Sequence, residues 1–310
     1  MNKGIVFLFD GTSKTADQED EGFLSPTNVK KFKDAIACKD NNPKIYYAAG
    51  VGTRINEDIS GAVWGSGISD RLQEAYRFIT HEINSITIKE PLKIYILGFS
   101  RGAYIARVFS WLLYRCGIPD NASDCENRYK MFDNKEYDKL NKLDNTFPEL
   151  KIEMLGVWDT VKTAIYRNHN DEELSPVVNA GYHAMSIDEK REKFPVLKWK
   201  NESRVKQIWF AGVHSDVGGG YKEAGLSDIA LQWMLYNAID HGLNIRGDYK
   251  INPNSSAVQH DSYSDVKWKL MGTKIRTIES SELAHNSVKK RIAEIIYSPE
   301  NLPKDIQYVE

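Results

Sequence analysis

The stretch KIYILGFSRGAYIARVFSWLLYR, residues 93–115, decides the fold class of this chain. Its first five residues are apolar or aromatic apart from Lys93, as is typical of a strand that is buried on both faces. After the turn GFSRG, small and apolar residues return at the period of an amphipathic helix: Ala103, Ala106, Phe109 and Leu113. A strand that passes through a tight turn into a helix is the repeating unit of parallel α/β folds.

The same alternation of short apolar runs and amphipathic stretches continues along the 310 residues. We predict strands over residues 5–9, 44–48, 93–97, 151–157 and 205–211, and helices over residues 26–37, 68–86, 101–115, 176–194 and 226–241. The pattern predicts an α/β fold with a mainly parallel central sheet flanked by helices. We expect one domain over residues 1–310, in which the polar regions 119–148 and 244–271 form lids or surface insertions.

The turn Gly98-Phe99-Ser100-Arg101-Gly102 fits the G-x-S-x-G nucleophile elbow of α/β-hydrolases. In such an elbow the serine sits in a strained turn, and glycine on either side avoids a collision with neighbouring backbone. The helix that follows points a positive dipole end and N–H groups at the serine. We therefore predict Ser100 as a nucleophile and the backbone N–H of Arg101 as the first donor of an oxyanion hole. The alternative is a glycine-flanked turn without chemistry.

A second oxyanion donor is expected from the loop after another strand, and Asp10-Gly11-Thr12 follows the first one. Gly11 would let this loop approach a substrate closely, so we predict it as the second donor. Asp10 can instead brace the loop by an Asx-type hydrogen bond. A rival interpretation is a phosphatase-like Asp-x-Asp-Gly-Thr loop, but Leu8 occupies the place of its nucleophilic aspartate.

A nucleophilic serine needs a histidine to take its proton and an acid to orient the imidazole. In α/β-hydrolases these residues follow in the order Ser, Asp or Glu, His. Asp159 and His214 come after two further predicted strands, and functional groups in parallel sheets gather at the carboxyl ends of strands. The sequence therefore predicts a triad of Ser100, Asp159 and His214.

Two alternatives stay open at this point. A triad of Ser100, Asp216 and His260 preserves the same order, and otherwise Asp216 and His260 would support the site from a second layer. A metal site could gather His214, Asp216, Asp10 and Asp159, but no strong ligand spacing such as HExxH supports it. We therefore predict neither a metal nor a cofactor.

Five motifs and one further segment recur in an order that resembles a known family. They are FDGT at 9–12, AGVGT at 49–53, GFSRGA at 98–103, GVWDTV at 156–161 and WFAGVHSDVGGGY at 209–221, with AMSIDEKR at 184–191. Together they resemble an α/β-hydrolase domain family, long labelled as of unknown function, that includes the first class of type VI secretion phospholipase effectors. The resemblance implies esterase or phospholipase activity and a triad at Ser100, Asp159 and His214. Those effectors carry an added membrane-docking part with no obvious counterpart here, so soluble esters remain candidate substrates beside lipids.

The composition narrows the classes of partner. A formal charge of −2 gives no electrostatic footprint for nucleic acid, and three cysteines without CxxC spacing suggest folding in a reducing compartment. No stretch approaches a membrane span, and the N-terminus lacks signal-peptide features, so we expect a cytoplasmic product that can be delivered outside without a signal peptide. We expect an ester substrate, peripheral membrane contact, and a secretion-machine or immunity partner if the chain is an effector. A catalytically silent binding or toxin-adaptor module is the alternative function.

Overall fold

A parallel sheet of eight strands forms the centre of the computed structural model, which describes residues 3–12, 14–39, 42–50, 61–85, 92–145, 149–161, 172–263 and 272–310. The strands of the described residues are β1 (Lys3–Phe9), β2 (Glu19–Asp20), β3 (Phe23–Leu24), β4 (Lys44–Ala48), β5 (Leu92–Phe99), β6 (Ile152–Trp158), β7 (Gly181–Ser186), β8 (Val205–Phe210), β9 (Leu283–His285) and β10 (Gln307–Val309). The strands β2 and β3 pair with each other in a separate antiparallel hairpin.

The order of the strands creates a crevice in the middle of the sheet. This order is β10-β9-β8-β7-β6-β5-β1-β4, so the chain passes from β4 back across β1 before it forms β5. In open α/β sheets ligands bind outside the carboxyl ends of the strands where the strand order reverses. The reversal lies between β1 and β5, and the loops that begin at Asp10 and Ser100 leave these two paired strands side by side.

Helices cover both faces of the sheet. Those of the described residues are α1 (Asn28–Ala35), α2 (Gly61–Asn84), α3 (Arg101–Cys116), α4 (Ala122–Asp133), α5 (Tyr137–Leu140), α6 (His214–Gly218), α7 (Gly225–Asp240) and α8 (Asn286–Glu294). On β1, Ile5, Phe7 and Phe9 pack with α2 and α3, whereas Val6 and Leu8 pack with α1 and α7. Burial on both faces explains why this strand is a continuous apolar run and not an alternating pattern. The predicted α/β fold with a mainly parallel sheet is confirmed.

One predicted element is wrong, because residues 176–194 do not form a helix. They contain β7, which pairs with β6 on one side and β8 on the other, followed by a loop. The segment 181–186 has no β-branched residue and contains Ala184 and Met185, which favour helices. Both side chains are fully buried in the sheet, so tertiary packing overrides the local preference.

The two polar regions differ in where they pack. In region 119–148, α4 and α5 lie on α2 and α3 through buried side chains such as Cys125, Tyr129 and Phe132. In region 244–271, the described residues run without regular structure and bring His260 against Asp216. Residues 146–148 and 264–271 lie outside the described residues. Across the ranges that the structure describes, no helix is long and apolar enough to cross a membrane.

Candidate active site

Ser100 occupies the tight turn between β5 and α3. Its backbone has a φ of +59° and a ψ of −122°, a conformation that residues other than glycine rarely adopt. Close packing holds it there: a Cβ atom on Gly98 would lie 2.8 Å from the Cα atom of Ala103, and one on Gly102 would lie 2.6 Å from the carbonyl carbon of Phe9. The two glycines therefore allow β1 and α3 to approach the turn that presents Ser100 at the carboxyl edge of the sheet.

Three side chains from three different strand ends meet at this edge. Nε2 of His214 lies 2.8 Å from Oγ of Ser100, and Nδ1 of His214 lies 2.6 Å from Oδ2 of Asp159. Ser100 follows β5, Asp159 follows β6, and His214 begins α6 shortly after β8. The structure thus brings together the three residues that chain order predicts as a triad. Their contacts have the geometry of a nucleophile, its base and the acid that orients the base.

Asp159 is fully buried, and besides His214 two other groups contact its carboxylate. The guanidinium of Arg276 donates from Nη1 to Oδ1 at 2.6 Å and from Nη2 to Oδ2 at 2.9 Å. The backbone N–H of Ser186 donates to Oδ1 at 2.9 Å. Burial alone would raise the pKa of Asp159, but the charge of Arg276 and the hydrogen bond from His214 outweigh it and hold this pKa well below its usual range. The acid is therefore ionised beside His214.

The imidazole of His214 is enclosed by aromatic rings. The ring centroids of Phe99 and Phe194 lie 4.6 Å and 5.1 Å from that of His214. Its backbone N–H donates to Oε2 of the buried Glu189 at 3.3 Å. Burial lowers the pKa of His214 below its ordinary value of 6.5, although Asp159 acts in the opposite direction. Near neutral pH the imidazole is therefore mainly in the form that accepts a proton.

The loop after β1 lies beside Ser100. A Cβ atom on Gly11 would lie 3.4 Å from Cβ of Ser100, so the loop is close enough to contact a reacting group there. The Gly11 N–H, which we predicted as an oxyanion donor, donates to Oδ1 of Asp10 at 2.7 Å in this structure. The hydroxyl of Thr12 is buried and has no hydrogen-bond partner among the described residues. The loop therefore carries, directly after Gly11, a buried hydroxyl without a partner among the described residues.

Asp10 braces this loop, as one of its predicted roles requires. Oδ2 of Asp10 accepts hydrogen bonds from Oγ1 of Thr27 at 2.8 Å and from Oη of Tyr47 at 2.7 Å. Burial raises the pKa of Asp10 to about 6, and the hydrogen bonds oppose this shift. Asp10 does not reach Ser100 through any of these contacts.

A second Asp–His pair lies next to the first. Nδ1 of His260 is 2.6 Å from Oδ1 of Asp216, and Oδ2 of Asp216 accepts the backbone N–H groups of Val213 and His260 at 3.0 Å and 3.1 Å. Nε2 of His260 faces Oε2 of Glu223 at 3.4 Å and does not face Ser100. The structure therefore does not assemble the alternative triad, and the second pair lies at the start of α6, next to His214.

Three basic residues lie near Ser100 and His214. Arg101 directly follows Ser100, and burial, with the charge of Arg191, lowers its pKa to about 9. The guanidinium of Arg191 lies 3.6 Å over the ring of Phe194, and Glu189 holds it by two side-chain hydrogen bonds. Burial and the charge of Arg191 also lower the pKa of Lys14, against the attraction of Asp10 and Asp20. The charge of Arg191 therefore acts on both Arg101 and Lys14.

The contacts of the other histidines show what each of them does in the fold, and the same structure tests the alternative of a metal site. His183, which we predicted on a helix, lies in β7, where its Nε2 accepts the N–H of Thr160 at 3.1 Å. His241 hydrogen-bonds Tyr182, His285 caps α8, and His169 lies outside the described residues. Within the described ranges, no group of three or more His, Cys, Asp or Glu side chains is arranged to hold a metal ion.

Sequence reasoning missed two charged residues that contact members of the predicted triad. Glu189 stands in the segment 184–191 that carried the family resemblance, so a local signal existed. Arg276 stands in no motif and reaches Asp159 across 117 positions of the chain. Its role depends on the path of the chain after α7, which no local pattern reveals.

A protein-family model matches most of this chain. The model describes the catalytic domain of Tle1-like phospholipase effectors of the type VI secretion system, and it matches residues 3–237. The matched region contains Ser100, Asp159 and His214 and ends before Arg276.

The individual proteins that resemble this chain share little sequence identity with it. An uncharacterized protein of Saccharomyces cerevisiae is 26% identical in an alignment of length 231 that covers 63% of this chain and 32% of that protein. An uncharacterized protein from Pseudomonas aeruginosa has a structure that is similar over 79% of this chain and 46% of its own, with a TM-score of 0.51 and 20% identity, and shows a shared fold. The Tle1 effector bound to the VgrG spike of the type 6 secretion system gives a TM-score of 0.47 and 18% identity over 72% of this chain and 52% of its own. The chain spans about a third of the length of the yeast relative.

Proposed function

The chain belongs to the family of Tle1-like phospholipase effectors through its catalytic domain, and we propose that it is a serine hydrolase that cleaves carboxylic esters, with phospholipids as the substrate class. The observation that carries the proposal is the chain of contacts from Ser100 through His214 to Asp159, at 2.8 Å and 2.6 Å. Side chains within this reach act as a unit in acyl transfer.

The proposed reaction has two halves. Nε2 of His214 takes the proton of the Ser100 hydroxyl while Oγ attacks the carbonyl carbon of the ester. His214 then gives this proton to the leaving alcohol oxygen, and an acyl-enzyme remains on Ser100. A water molecule repeats the attack with His214 as its base, which releases the acid and restores the serine. The ionised Asp159 stabilises the imidazolium that forms in each half.

The tetrahedral intermediates place a negative charge on the carbonyl oxygen. We assign the first donor to the backbone N–H of Arg101, because the residue after the nucleophile supplies the first oxyanion donor in an elbow of this type. We assign the second donor to the loop of Gly11 and Thr12. Gly11 would have to exchange its hydrogen bond to Asp10 for one to the substrate, whereas the buried Thr12 hydroxyl has no partner among the described residues to give up.

The surrounding charge favours an ester that carries an anionic group over a neutral one. Burial, and to a smaller extent the charge of Arg191, lowers the pKa values of Lys14 and Arg101, and a phosphate beside the scissile ester would stabilise the charged forms of both side chains. A phospholipid has such a phosphate, and a triacylglycerol does not. Family membership also supports, as part of the same proposal, peripheral contact with a lipid surface and a secretion-machine or immunity partner.

A fluorophosphonate probe tests the proposal most directly, because it reacts covalently with an activated serine. We expect the wild-type protein to be labelled and Ser100→Ala to remain unlabelled with an unchanged circular dichroism spectrum. Labelling should be accompanied by hydrolysis of short-chain phosphatidylcholine in preference to a triacylglycerol of the same chain length. A folded wild-type protein that is neither labelled nor active on either substrate would point to a silent binding module.

A further inference from the structure

Arg276 contacts the proposed triad although it lies far from Asp159 in the sequence. Its guanidinium is buried and donates four hydrogen bonds. Two reach the carboxylate of Asp159, and the others reach the carbonyl oxygens of Ser186 at 2.8 Å and Phe194 at 2.9 Å. One planar group therefore ties Asp159 to the end of β7 and to the loop that carries Phe194 against His214.

The backbone around Arg276 is fixed independently of these contacts. The side-chain amide of Asn301 donates to the carbonyl oxygens of Arg276 and Ile187, both at 3.0 Å. The N–H of Lys274 donates to the carbonyl of Lys190 at 2.8 Å. The guanidinium is thus presented to Asp159 by a segment that runs along the loop after β7.

We propose that Arg276 is a positioning residue of the triad, which fixes the Asp159 carboxylate toward His214 and shares its negative charge. The inference rests on the proposed function. A bidentate arginine holds a carboxylate in one plane more strictly than a lysine can. Its positive charge also weakens the attraction of the carboxylate for a proton on His214.

Other charged groups also face Asp159 and His214, and the variants that test the proposal leave these groups unchanged. Glu189 accepts the backbone N–H of His214, and Arg191 lies beside it on Phe194. On the side of Asp159, His183 is buried, and burial lowers its pKa to about 3, so it stays neutral. Lys14, Arg101 and the Asp216–His260 pair lie at the same edge. Arg276 is the cation that contacts the carboxylate of Asp159 in the described residues.

The test measures the rate of fluorophosphonate labelling of Ser100 between pH 4.5 and pH 9 in wild type, Arg276→Met and Arg276→Lys. Arg291→Met is a matched control, since Arg291 is also buried but donates to the carbonyl oxygens of Ser255 and Ala257, away from the triad. We expect Arg276→Met to move the acid limb of the profile up by about one pH unit and to slow labelling at pH 7 by roughly 10²-fold. Arg276→Lys keeps the charge, so its limb should stay near that of wild type while its rate falls about tenfold. Arg291→Met should lower thermal stability without moving the limb.

An acid limb of Arg276→Met that coincides with wild type overturns the inference. If that variant does not fold, Arg276→Lys decides alone: a slower rate on an unmoved limb supports the inference, whereas a wild-type rate or a limb raised by about one unit contradicts it. Wild-type protein that shows no labelling at any pH would instead refute the proposed function. Labelled wild type with an unmoved limb in Arg276→Met refutes only the role of Arg276.

Discussion

Two Asp–His pairs lie side by side in this molecule, with the same contact and different surroundings. In both pairs Nδ1 of the histidine lies 2.6 Å from a carboxylate oxygen, in Asp159–His214 and in Asp216–His260. The free nitrogen of His214 meets the hydroxyl of Ser100 at 2.8 Å, whereas that of His260 faces the carboxylate of Glu223 at 3.4 Å. An orienting acid alone therefore does not identify a catalytic base.

The surroundings also shift the pKa values of the two imidazoles in opposite directions. Burial among Phe99 and Phe194 lowers the pKa of His214. His260 is less buried, and although burial acts to lower its pKa, Asp216 and Glu223 together raise it. A base needs the neutral form, and a structural cation needs the charged form. We infer that the first pair serves the reaction and that the second holds the start of α6, which carries His214.

The largest expected difference between the pairs is in their histidines. We expect His214→Ala to lower ester hydrolysis by roughly 10⁴-fold, as severely as Ser100→Ala, and the double variant to be no worse, because the two residues act as a unit. His260→Ala should keep the rate within about tenfold of wild type. Initial rates on a p-nitrophenyl ester, with the folded fraction measured by circular dichroism, check both. A severe loss in His260→Ala with a mild one in His214→Ala would reverse the assignment.

Substitution of Asp159 should act mainly on the rate of hydrolysis, whereas substitution of Asp216 should act mainly on stability. Asp159→Asn should slow hydrolysis by about 10⁴-fold, the size of effect known for the same change in serine proteases, because an amide stabilises the wrong imidazole tautomer. Asp216→Asn should act mainly on stability, since its carboxylate accepts two backbone N–H groups, and should cost about 1–3 kcal/mol of unfolding free energy. Urea denaturation beside the rates separates the two outcomes. Equal losses of rate in both variants would contradict the comparison.

The sequence predicted the members of the first pair because parallel strands bring their carboxyl ends to one edge. Ser100, Asp159 and His214 each follow a strand, so chain order and strand ends together restrict the choice. The same order fitted Asp216 and His260, and only the path of residues 258–263 turns the second imidazole toward Glu223. The support from Arg276 could not be foreseen for a similar reason, since it depends on a segment without periodicity. Likewise β7 was mistaken for a helix because its residues reveal their strand only through pairing with β6 and β8.

The two Asp–His pairs should contribute to stability with opposite dependence on pH. Because the pKa of His214 is lowered, kcat/KM should rise with pH through an acid limb below pH 6.5. The stability that neutral His214 contributes is lost as the pH falls through this lowered pKa. The raised pKa of His260 has the opposite consequence, since its contribution is fully present below pH 6.5 and is lost as pH rises through the raised value. The difference in unfolding free energy between wild type and His260→Gln should therefore be larger at pH 5.5 than at pH 8. A difference that grows with pH would contradict a charged, structural His260.

The smallest expected effect concerns Glu223, the outer contact of the second pair. Its side chain is 43% exposed, and its distance of 3.4 Å to Nε2 of His260 is long compared with the 2.6 Å contact of Asp216 on the other side of the ring. An exposed ion pair of this kind contributes little, so Glu223→Gln should change the unfolding free energy by less than about 1 kcal/mol. The rate of hydrolysis should stay within about twofold of wild type, as for most surface substitutions away from a reacting group. The ring of Tyr221, stacked 3.8 Å from that of His260, should keep the imidazole in place when the outer carboxylate is removed. If Glu223→Gln were instead as destabilising as Asp216→Asn, the three residues would form one coupled network, and His260 would depend on its outer partner as strongly as His214 depends on Asp159.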